Sequence, residues 1–137
     1  MLELVTVDEA RAHLRIDDYD SGGGPDDLWL AIWIPAVSEA VALWLKDSWR
    51  LFVEEVDSEG NIVRDSNGDP VPAEDSDGPI IRMSVKAAAL LELASQYRFR
   101  EGEGKDNAVP AHEGYGHTLT SKAAVAILTA LRRPTVA

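Results

Sequence analysis

Three histidines and a surplus of acids are the side chains in this chain that could do chemistry. His112-Glu113 and His117 share a polar stretch, but the two histidines lie five positions apart. A His-Glu-x-x-His zinc site needs them four apart on one helix face, so this spacing does not make one. Asp65-x-Asn67-Gly68-Asp69 resembles the start of a calcium loop. Its glycine is fourth, whereas an EF-hand needs glycine sixth and a glutamate twelfth, so a tight polar turn is the expectation. Gly22-Gly23-Gly24 has no lysine and no preceding strand, and reads as a loop and not a phosphate cradle. The paired acids Asp17-Asp18, Asp26-Asp27 and Glu54-Glu55 fall at element ends or on strands facing water. No nucleophile elbow with a matching acid and base is present, and there is no cysteine. The expectation is a protein that is not an enzyme and uses no metal or cofactor.

The elements that would position these residues are mostly helical. The 137 residues suit one domain, 1–137, with a modest core. Thr6-Val7-Asp8-Glu9 is a capping box before a short helix, about Val7 to Leu14. Pro25-Asp26-Asp27 opens a long helix whose stretch Leu28–Leu45 is apolar except at Ser38 and Glu39. Pro35 inside it predicts a kink near Ala31–Pro35. A third helix is expected at Val85–Arg100, capped by Ser84, with Ala87, Leu90, Leu91, Ala94 and Tyr97 inward. A fourth is expected at Ser121–Arg133, capped by Thr118 or Thr120, with Ala124, Ile127, Leu128 and Leu131 inward. Between the second and third helices, residues 51–79 read as an acidic β-hairpin or arm. Leu51–Val56 and Ile62–Arg64 are its strand candidates, Ile80–Met83 pairs with the first, and residues 72–79 form a loop. The fold class is therefore mainly α, a small bundle of about four helices with an inserted arm.

Charge and hydropathy narrow the function classes. The net charge is −11. Residues 51–79 hold 9 acids and 1 base, while residues 80–137 hold 5 acids and 8 bases. Such acidity opposes the phosphate attraction behind nucleic-acid binding, and the uneven ends suit head-to-tail contacts between copies. The N-terminal residues lack a basic stretch followed by an apolar run, so no signal peptide is expected. The long helix approaches a bilayer span in length, but Glu39 at its middle, Pro35, and acids at its start argue against a membrane. A helix apolar all round in so small a chain needs a further surface to pack against. Trp29, Trp33 and Trp44 on that helix are the candidate subunit contacts, because tryptophan concentrates binding energy at interfaces. Arg98 and Arg100 are candidates to pair with a neighbour's acids.

Together, TVDEARAHLRIDDYD, the Asp-Asp-Leu entry to the long helix, and AAALLELASQYRFRE resemble the head–tail connector family of long-tailed phages and prophages. The motifs are Leu14-Arg15-Ile16-Asp17 after a capped helix, and Tyr97 followed by Arg100-Glu101. The resemblance covers about residues 4–49 and 84–101. It implies a virion structural adaptor, a homo-oligomeric ring of about a dozen copies. That ring would join the portal protein to the next tail or head-completion protein, and DNA would cross its lumen without specific binding. Residues 51–79 are longer and more acidic than the family's usual connection, and Pro35 is also a departure. The alternative is a soluble helical regulator or assembly chaperone that binds a protein partner without a ring.

Overall fold

The computed structural model describes residues 2–15, 26–98 and 119–132. The expected loops at 17–24 and 101–117, with Arg100, His112, His117 and Thr118, lie outside the described residues. Four helices carry the fold: α1 Val7–Leu14, α2 Asp27–Leu45, α3 Met83–Arg98 and α4 Lys122–Arg132. The protein is mainly α, as its periodicity predicts.

The capping box forms as expected. Glu9 N–H donates to the Thr6 hydroxyl at 3.1 Å, and Thr6 N–H donates to the Glu9 carboxylate at 2.8 Å. Arg15, in the left-handed region at φ 59°, ends α1. Thr6→Ala is expected to cost about 1 kcal/mol of unfolding free energy, measured by urea titration. Glu9 also receives Lys86 Nζ of α3 at 2.9 Å. Burial acts to raise the Glu9 carboxyl, but the Lys86 ammonium and the Thr6 amide outweigh it and hold it below its ordinary value. Its stabilising contribution is full above the unfolded carboxyl value and fades as pH falls through the lower folded one. Glu9→Gln is therefore expected to flatten the acid side of the stability profile, checked by urea midpoints at neutral and acid pH.

Pro35 does not end α2, which runs unbroken from Asp27 to Leu45. Proline offers no N–H to the carbonyl of Ala31. Pro35 lines the outward side of the helix, so the missing bond falls away from the core. The inward side carries Leu30, Ile34, Val37, Ser38, Val41, Trp44 and Leu45. Ser38 fits there because both its bonding roles are filled. It donates to the Ile34 carbonyl at 2.7 Å and accepts from Leu4 N–H at 2.9 Å, which ties the N-terminal segment onto α2.

α3 packs against α1, α2 and α4, and it corrects two expectations. It starts at Met83, so Ser84 lies inside its first turn and is not its cap. Its buried face is Val85, Ala88, Ala89, Glu92 and Leu93, whereas Ala87 is exposed and Leu90, Leu91, Ala94 and Tyr97 are half-buried. The predicted stripe is thus rotated, because Glu92 occupies a core position. Glu92 is 2% exposed. Its carboxyl accepts from Thr120 Oγ1 at 2.6 Å, Ser121 N–H at 2.9 Å and Gln96 Nε2 at 3.0 Å. It holds the start of α4, where unpaired N–H groups and the positive helix end favour an acceptor. Ser121, whose hydroxyl accepts from Ala124 N–H at 3.1 Å, caps α4 in place of Thr120. At the other end of α4, Arg50 Nη1 donates to the Arg132 carbonyl at 2.7 Å.

The arm enters through a 3-10 turn, Ser48–Leu51, and leaves at Arg82, whose N–H donates to the Leu51 carbonyl at 3.0 Å. The Arg82–Glu54 ion pair, 3.2 Å long, sits at this base. Above it the backbone forms two three-way junctions, each closed by a triangle of hydrogen bonds. In the first, Val53 N–H donates to Ile80, Ile80 N–H to Ala73, and Ala73 N–H to Val53, at 2.8–2.9 Å. In the second, Glu55 N–H donates to Val71, Val71 N–H to Val63, and Val63 N–H to Glu55, over the same distances. Each junction satisfies one donor and one acceptor from three segments without a sheet. Leu51–Val56 and Ile62–Arg64 accordingly form no regular strands, only the single bridges Phe52–Ile81, Val56–Ile62, Glu54–Pro72 and Arg64–Pro70. The two-residue strands β1 Glu74–Asp75 and β2 Gly78–Pro79 lie in the stretch expected as loop.

The junctions follow from a repeat in the sequence: Asp57-Ser58-Glu59-Gly60, Asp65-Ser66-Asn67-Gly68 and Asp75-Ser76-Asp77-Gly78. Each aspartate accepts backbone N–H groups of its own turn. Asp57 takes Glu59 and Asn61, Asp65 takes Asn67 and Asp69, and Asp75 takes Asp77. The glycines have φ of 84°, 84° and 109°. Asp65-x-Asn67-Gly68-Asp69 is therefore a self-bonded turn. Gly68→Ala meets no steric neighbour but must hold positive φ. It is expected to destabilise that turn by about 1 kcal/mol, seen as faster hydrogen exchange at the Asp69 amide.

Candidate assembly surface

The side of α2 turned away from the core is the candidate functional surface. Leu28 is 73% exposed, Ile32 58% and Leu43 69%. Ile32, Ala36, Glu39, Leu43 and Lys46 follow one another at alternating spacings of four and three along the chain. The same alternation, starting from Leu30 and passing through Ile34, Val37, Val41 and Trp44, marks the buried side. α2 therefore has two seams on opposite faces, each with the spacing by which one helix packs on another. The chain's own core fills the inward seam. On the outward one, Leu2, Ile32, Pro35, Ala36, Glu39, Ala42, Leu43, Lys46 and Ser48 line a groove of about 610 Å³.

The tryptophans divide between the two sides. Trp44, expected at a subunit contact, is 8% exposed and belongs to the chain's own core, with the Arg132 guanidinium 4.5 Å from its ring centre. Little of it is left for a neighbour to touch. Trp29 and Trp33 are half-buried at the flank, stacked with ring centres 5.7 Å apart. Trp29 also meets Tyr97 of α3 edge-on at 5.0 Å, which gives it a role in joining α2 to α3. Arg98 is exposed at the end of α3. Arg100 lies beyond the described residues. Sequence reading missed Leu28, Ile32 and Leu43 as the outward residues. Their four-and-three spacing was the available signal.

The electrostatics of this face are sparse. Glu39 and Lys46 are both exposed, and neither side chain forms an ion pair or hydrogen bond with the rest of the described chain. The nearby ion pairs lie elsewhere: Arg11 with Asp27 joins α1 to α2, and Arg50 with Asp47 closes the 3-10 turn at 3.1 Å. Among the described residues, no group of three or more His, Asp or Glu side chains is placed to hold a metal ion.

α2 is also long and apolar enough to cross a membrane, with a mean hydropathy of 1.7 over an 18-residue window. Its inward seam is packed against α1, α3 and α4, and Ser38 is tied to Leu4 within the fold. A core helix shares the same length and composition. Comparison with protein-family models, with curated proteins and with solved structures finds no match for this chain.

Proposed function

We propose that this chain is a virion structural adaptor of the head–tail connector kind. Copies would pack through the outward face of α2 into a ring between the portal and the next tail component. The observation that carries this reading is the second seam of α2. A helix with two packing faces in a chain that covers one of them is built for a neighbour. The resemblance in α1, the α2 entry and α3 supports the same reading. The acidity also fits, since a lumen lined by negative charge repels phosphates and lets DNA slide. The adaptor would sit in the virion at the head–tail junction, after a period in the host cytoplasm. Arg98, exposed at the end of α3, would pair with acids of a neighbour.

The test mixes the purified chain with the portal protein that this reading makes its partner, and follows particle mass by light scattering and ring formation by electron microscopy. Rings are expected from the native chain. Ile32→Asp is expected to abolish them while leaving the melting temperature of the free chain unchanged, because Ile32 is on the outward face. A chain that stays monomeric with its portal present overturns the reading. A regulator or chaperone without a ring is the second reading. The groove beside α2 favours it, because an amphipathic helix of another protein would also fit there.

A further inference from the structure

The outward seam of α2 has a charge pattern that matches itself. Glu39 lies within α2, and Lys46, seven residues on, is the residue that ends the helix, at φ 74°. Both line the groove, with Ala42 and Leu43 between them. Neither has a charged partner within the described chain. When two copies of such a helix lie antiparallel about a two-fold axis passing between residues 42 and 43, Glu39 of each faces Lys46 of the other. Two ion pairs form from one surface, and Leu43 meets its own counterpart at the centre. No shift along the helix keeps both pairs, so the charges fix the register. A polar pair flanking an apolar centre is also the usual anatomy of an interface.

We propose that free copies of this chain pair through α2 in this way, with a second copy as occupant of the Glu39–Lys46 end of the groove. The inference rests on the reading of the outward face as a packing surface, and adds its occupant, axis and register. The two-fold pair is closed, since each copy uses the same patch. It covers Leu43 in the free protein, and entry into a ring exchanges the pair contact for a neighbour's. Leu28 and Ile32 lie beyond the two-fold overlap and stay open to that neighbour.

The absence of cysteine makes the register directly testable. Helices packed at about 8–10 Å bring Leu43 and its counterpart within the Cα separation a disulfide tolerates. Ile32 and its counterpart would be ~30 Å apart at 1.5 Å rise per residue. Under mild oxidation, Leu43→Cys is expected to give a covalent dimer on a non-reducing gel, and Ile32→Cys is not. Sedimentation across a concentration series is expected to show a monomer–dimer equilibrium. Glu39→Lys or Lys46→Glu alone should weaken it by roughly tenfold or more, and the double exchange should restore it. All four positions are on the outward face, and circular dichroism confirms that each variant folds. A monomer at every concentration, equal cross-linking at both cysteines, or no rescue by the double exchange overturns the pair. A monomer that still forms rings with the portal would overturn the pair alone. A two-fold dimer that ignores the portal would instead overturn the adaptor reading.

Discussion

Replacing Glu92 by alanine is expected to lower the unfolding free energy by about 3 kcal/mol, read from the urea midpoint at constant slope. The side chain is 2% exposed, and its loss leaves half-buried donors without their acceptor. The Thr120 hydroxyl and the Ser121 amide both lose an acceptor, at the turn where α4 has most need of one. Thr120 keeps two partners, the Ser95 hydroxyl at 2.9 Å and the Gln96 amide at 3.5 Å, which limits the damage. Burying a carboxyl group is itself costly, and three hydrogen bonds are needed to offset it. Glu92→Gln keeps one acceptor oxygen and should lose less. α4 packs against α3 more than against any other element, so the loss should release the whole helix and not fray one turn. Far-UV circular dichroism would report this as helix content lost together with the rest of the fold at the lower midpoint. A drop of less than about 1 kcal/mol would mean that α4 is held by its apolar face alone.

The two seams of α2 should separate sharply by mutation. Leu45→Ala is expected to cost about 3 kcal/mol, because the side chain is fully buried and its removal leaves a cavity. Leu43→Ala, two residues away, is expected to leave the stability of the isolated monomer within about 0.5 kcal/mol. Both substitutions remove the same atoms from the same helix, so propensity cancels and only the packing differs. Chemical denaturation at low protein concentration, where association is absent, gives both values. A large loss from Leu43→Ala under those conditions would place that side chain in the chain's own core.

Legibility in the sequence followed the range of the interactions. The Thr6–Glu9 box could be read because all its partners lie within four residues. The start of α2 and the length of α4 could be read for the same reason. The phase of α3 could not, because Glu92 resembles a solvent residue until Thr120 and Ser121 are brought to it from across the chain. The excess of apolar residues in α2 was plain, but its division into two faces depends on what packs where, and tryptophan count pointed to Trp44 when the exposed residues are aliphatic. In the arm, the turns were visible one at a time. Their shared Asp-Ser-x-Gly pattern, eight and then ten residues on, was the sign that they act together. The hydrogen-bond triangles join segments that no local rule connects.

The arm has a consequence for how this chain can change over time. Its two ends meet at Leu51 and Arg82, where one backbone hydrogen bond closes its neck. Apart from the Arg82–Glu54 pair at that neck, the bonds that shape it are internal. It behaves as a cassette: it can be lengthened at a hairpin tip, shortened, or replaced by a brief connection without altering the path of α2 or α3. Selection can therefore remodel what the arm touches while the helices that carry the packing seams stay as they are.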